Sequence, residues 1–95
     1  MDVTIVTLDV IDGDLEATGI VTGVAEDSGT CTLTVSRGGD QRTATAPGAA
    51  GPDSTNCGLM KISTDDFASG EWEAIIDYSS DTYRGRSNGQ AVTVR

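Results

Sequence analysis

The chain has 95 residues, of which 37 % are apolar and only four are aromatic, so its core is thin and a crosslink would matter. Fifteen acidic residues against six basic ones give a net charge of −9, which disfavours nucleic acid and anionic membranes as partners. No apolar run reaches the roughly 18 residues of a membrane-spanning helix, and the start MDVTIVTLDV lacks the basic and apolar regions of a signal peptide.

No stretch shows clean helical periodicity. Alternation dominates, with turn residues recurring every 8 to 14 positions, the pattern of a single all-β domain spanning residues 1–95. VTIVTLDV (3–10) predicts a first strand, stopped by IDGD. LEATGIVTGV (15–24) predicts a second, with Gly19 marking a bulge that leaves its inward face ambiguous. TCTLTVSR (30–37) puts Cys31, Leu33 and Val35 on one face and Thr30, Thr32, Thr34 and Ser36 on the other. GGD (38–40) predicts a hairpin turn into a polar edge strand, QRTATA (41–46).

Pro47 and GAAGPDST then form the longest predicted loop, and CGLMKIS (57–63) a fifth strand. EWEAIIDYSS (71–80) is a sixth, with Trp72, Ala74, Ile76 and Tyr78 facing one way. QAVTVR (90–95) closes the domain, entered through the hairpin signal SNG. The expected core comprises Val6, Leu8, Leu33, Val35, Leu59, Trp72, Ala74, Ile76, Tyr78, Val92 and Val94.

Cys31 and Cys57 form an even pair in a small, loop-rich domain. That usage favours a disulfide and an oxidising, extracellular or cell-surface location, with two buried free thiols as the alternative. Zinc is disfavoured, because the chain has no histidine and no further cysteine.

The stretch DFASGEWEA, with Phe67, Gly70, Trp72 and Ala74, resembles the corner before the sixth strand of immunoglobulin-like and fibronectin type III-like sandwiches. The later Tyr-Ser-Ser and the short valine-rich last strand resemble small Ig-like modules of secreted bacterial proteins. The resemblance implies a seven-strand antiparallel Ig-like β-sandwich. It departs at Ala74, where disulfide-bonded immunoglobulin domains place a cysteine. If the strands alternate in direction, Cys31 and Cys57 start strands at the same end of opposite sheets, and a bond there would staple the end carrying the long loop.

The residues needed for hydrolytic or nucleophilic catalysis are missing: there is no histidine, nucleophile elbow or phosphate loop, and we expect no enzyme. Asp12, Asp14 and Glu16 in DGDLE offer three oxygen ligands for calcium, the one cofactor the sequence suggests. The spacing lacks the EF-hand glycine and later glutamate, and a solvated turn competes. Arg-Gly-Gly-Asp (37–40) reads as a plain hairpin.

The remaining candidate is SSDTYRGRSNG (79–89), which carries Tyr83, Arg84 and Arg86 on an acidic domain. Tyrosine and arginine are enriched at binding hot spots, and the resemblance implies that this loop serves recognition, at the same end as AEDSGT (25–30) and the 47–56 loop. The competing expectation is that Arg84 and Arg86 pair with Glu26, Asp27 or Asp81. The functional expectation is a non-catalytic extracellular spacer or adhesion module, using a protein or cell-surface partner. Two alternatives are a subunit that assembles with copies of itself through MDVTIV and QAVTVR, of filament or phage-decoration type, and a small carbohydrate-binding module.

Overall fold

Apolar and polar side chains alternate over much of the chain, and the alternating runs become strands. A computed structural model describes residues 1–94, and among them are nine strands and no helix. They are β1 (Asp2–Ile11), β2 (Asp14–Thr22), β3 (Thr30–Arg37), β4 (Asp40–Pro47), β5 (Ala49–Ala50), β6 (Ser54–Ser63), β7 (Gly70–Ser79), β8 (Arg84–Arg86) and β9 (Gln90–Val94). Arg95, expected to end the last strand, lies outside the described residues.

Two antiparallel sheets result. One has the order β1-β2-β6-β5; the other has β4-β3-β7, with β8 and β9 both pairing along the far side of β7. Their apolar faces share one core, with Leu15, Ala17, Val21 and Met60 from the first sheet set against Leu33, Val35, Ile76 and Val92 from the second. Cys31 on β3 and Cys57 on β6 are disulfide-bonded across the sheets, with Cα atoms 5.7 Å apart.

The hairpin predicted at GGD is a two-residue turn at Gly38–Gly39, closed by Arg37–Asp40, and the IDGD stretch that stops β1 forms another at Asp12–Gly13, closed by Ile11–Asp14. Asp12 and Gly13 both have positive φ, 51° and 83°, as a type I′ turn requires.

Seven strands correspond to the predicted runs; β5 and β8 are additional. Ala49 and Ala50 pair with Asn56 and Thr55, so the expected long loop is partly sheet. The hairpin expected at SNG lies earlier, at 80–83, and β8 is already paired before Ser87. Between β8 and β9 the Ser87 N–H donates to the Ile76 carbonyl at 2.9 Å, and the Ser87 Oγ accepts the Ile76 N–H, also at 2.9 Å. A hydroxyl thus stands in for the carbonyl that a regular ladder would supply.

Two expected core residues are wrongly placed. Val6 is 61 % exposed and Leu59 is 52 % exposed. In β1 the register skips Val6 between Ile5 and Thr7, so the inward set runs Val3, Ile5, then Leu8, Val10. In β6 the register skips Cys57, and Gly58 adopts a left-handed φ of 70°, so the inward set runs Thr55, Cys57, then Met60, Ile62. Each bulge turns one apolar side chain out to solvent. Leu8 is only half-buried. β2, where the bulge was expected, alternates without a break, with Leu15, Ala17, Gly19 and Val21 all inward.

At the β6–β7 corner Trp72 is buried and its Nε1–H donates to the Ala68 carbonyl at 2.9 Å. Phe67 stacks on it at 4.4 Å between ring centroids, and the Arg42 guanidinium lies 5.8 Å above Phe67 while bonding Asp66 at 3.0 Å. The corner is therefore closed by a stacked aromatic pair under a cation.

Candidate functional site

The strand directions bring the 23–29, 48–53 and 80–83 segments to one end of the molecule, as expected. The disulfide and a set of hydrogen bonds hold this end together. Thr55, fully buried, donates to the Val24 carbonyl at 2.8 Å and accepts the Glu26 N–H at 3.2 Å. Asp27 Oδ1 accepts the Ala50 N–H at 2.7 Å, and the Gly48 N–H donates to the Gly29 carbonyl at 2.9 Å.

Beneath them Tyr78 is buried, and its hydroxyl donates to the Glu26 carboxylate. The ring reaches this position because Gly29 has no side chain: a Cβ there would stand 2.1 Å from the Tyr78 oxygen. The hydroxyls of Ser80 and then Tyr78 hold the Glu26 carboxyl below its ordinary range. Burial, followed by the bond to Glu26, pushes the Tyr78 phenol up. Neither residue announces this pairing locally, since they lie 52 positions apart.

On this platform stands the 80–83 turn. The Ser80 N–H donates to the Tyr83 carbonyl at 2.8 Å, and Ser80 Oγ accepts the N–H groups of Tyr83 at 3.0 Å and Thr82 at 3.3 Å. The turn is thereby ordered with the Tyr83 ring directed to solvent, 42 % exposed. The other three aromatics are committed elsewhere: Trp72 and Tyr78 are buried, and Phe67 packs on the core.

Arg84 and Arg86 lie on β8, not in a loop. Arg86 Nε donates to Asp77 Oδ1 at 2.7 Å across the β7–β8 pair, and this bond and charge hold the guanidinium more firmly protonated. Glu26 and Asp27, expected as partners for these arginines, are taken by Tyr78 and by the Ala50 N–H. Arg84 is exposed and pairs with no carboxylate among the described residues. A shallow cleft of about 430 Å³ runs between Asp77, Ser79, Arg84 and Arg86.

Asp12, Asp14 and Glu16 lie at the opposite end. Asp12 is at the tip of the hairpin, and Glu16 lies 3.8 Å from Lys61 Nζ. No three acidic or cysteine side chains converge as a metal-binding group among the described residues. The chain matches no protein-family model, no curated protein and no solved structure.

Proposed function

We propose that the chain is a non-catalytic Ig-like module of a secreted or surface assembly, which spaces its neighbours and binds a protein or cell-surface partner through Tyr83 and Arg84. The order β1-β2-β6-β5 against β4-β3-β7 with β8 and β9 supports the Ig-like reading, because it follows the ABED and C′CFG lettering of such sandwiches. So does Trp72, whose indole bonds the backbone four residues upstream, as the corner tyrosine of those folds does. The cross-sheet disulfide suits an oxidising compartment.

The observation that carries the binding role is the hydrogen-bonded 80–83 turn, which presents an exposed tyrosine beside an arginine that pairs with no carboxylate among the described residues. Two residue types that dominate hot spots are thus held out with little ordering cost left to binding. Beads coated with the domain test it by capture of bacterial and eukaryotic cells. The variant combining Tyr83→Ala and Arg84→Ala should lose most of that capture, a cost of about 2 kcal/mol or more for a true hot spot. Equal capture by variant and parent would sink the role of this end.

A further inference from the structure

Among the described residues β1 is paired on one side only, with β2, and β9 on one side only, with β7. The two strands run the same way along the seam between the sheets, from the end bearing Tyr83 towards the end bearing Asp12. Three clefts follow one another along it: about 360 Å³ between the start of β1 and Gly85–Arg86, about 220 Å³ between Val3–Ile5 and Ser87–Gln90, and about 630 Å³ between Leu8–Val10 and Ala91–Val94. Ile5, Leu8 and Val10 stay half-buried here, whereas the inward residues of β2, β3 and β7 are sealed.

A free strand edge presents main-chain N–H and C=O groups that an extended chain satisfies as a ladder. β1 carries neither the lysine nor the proline that commonly blunts such an edge. Its bulge at Val6 leaves Thr7–Ile11 as the regular stretch, beside the cleft of about 630 Å³. That stretch is acidic: Asp9 pairs with Glu16 across β2, Ile11 with Asp14, and Asp12 follows at the turn. A second copy of Thr7–Ile11 laid antiparallel would set Asp9 against Asp9, which is unfavourable.

We propose that Thr7–Ile11 is a strand-accepting edge for an extended segment of a partner protein, with lysine or arginine on the segment's outward face and aliphatic residues between them. The segment pairs antiparallel to β1, sets its cations beside Asp9, and lays its aliphatic side chains into the cleft by Leu8 and Val10. This is a second contact surface, independent of Tyr83 and Arg84.

The test uses a fluorescent peptide of about nine alternating lysines and valines, a glutamate–valine counterpart, and a lysine peptide of equal charge whose central valine is proline. Anisotropy should show binding of the first alone, and amide exchange should slow within 7–11. Asp9→Lys, at an exposed position, should keep the melting temperature and weaken the lysine peptide by on the order of tenfold. Any of four results would overturn the proposal: no binding, equal binding of the proline peptide, protection confined to another edge such as β4, or dimerisation of the domain that the peptide does not compete away.

Discussion

Gly19 on β2 and Ile76 on β7 meet across the core so closely that a Cβ on Gly19 would stand 2.7 Å from Ile76 Cδ1 and 3.3 Å from the Thr4 carbonyl. The missing side chain makes room for Ile76, and the two neighbouring strands are irregular beside it. The bulge in β1 falls where Gly19 gives way to Thr18, and the bulge in β6 where it gives way to Ile20. Both flanking strands thus change face beside the one residue that leaves room for Ile76.

Gly19→Ala should therefore destabilise the domain by about 1–3 kcal/mol through overpacking, since the buried Ile76 must repack and the Thr4 carbonyl, 3.3 Å from the new methyl, is backbone. Ile76→Val alone should cost about 0.5–1.5 kcal/mol, yet it removes the atom that the new methyl strikes. Combined, the two changes should be less costly than their sum, as read from urea unfolding in a double-mutant cycle. Strict additivity would mean that the contact is relieved elsewhere.

The Cys31–Cys57 bond closes a loop with a sequence separation of 26 and joins the sheets beneath the Tyr83 end. In the chain-entropy description such a loop is worth about 3–4 kcal/mol, a large part of what a thin core leaves. Reduction should lower the melting temperature steeply, and the Cys31→Ala, Cys57→Ala variant should match the reduced protein. A melt insensitive to reductant would remove the staple from the account of this end.

The Tyr78–Glu26 bond makes stability depend on pH in both directions. Glu26 is held below its ordinary value when folded, so its contribution is present above the ordinary carboxylate range of about 4.3 and is lost as pH falls through the folded value. Tyr78 is raised, so its contribution is present below the ordinary phenol value of about 10 and fades as pH climbs through the folded one. The stability gap between parent and Glu26→Gln should accordingly narrow as the medium is acidified from neutrality. A gap constant with pH, measured by urea unfolding, would show that the carboxylate charge plays no part.

The strands were legible because apolar residues recur at every second position over most of each long one, and the Asp-Gly and Gly-Gly turns mark two of the junctions. The common end of three loops followed from strand alternation, and the cysteine pair from composition. The site was legible only in its residue types. Arg-Gly-Arg is too short and polar to announce a strand, so β8 was hidden, and with it the Asp77–Arg86 pair. Glu26 and Tyr78 share no local pattern. Gly19 did signal an irregularity, but it is the bulges' partner, and the extra residues sit in β1 and β6. There VTIV and GLMKI place apolar side chains on both faces, so period-two reasoning has no means of choosing.

That ambiguity gives the sharpest test of the register. In β6 the bulge at Cys57–Gly58 turns Leu59 outward opposite Thr18 and brings Met60 inward, where it is 2 % exposed. Leu59→Ala should then change stability by no more than about 0.5 kcal/mol, the range of an ordinary surface position. Met60→Ala should cost about 2–5 kcal/mol, as buried large-to-small changes do. An unbulged strand would reverse the two, because continuous alternation from Cys57 carries Leu59 into the core and Met60 to solvent. Thermal or urea unfolding of both variants distinguishes the cases, and a cost that falls on Leu59 would contradict the bulge.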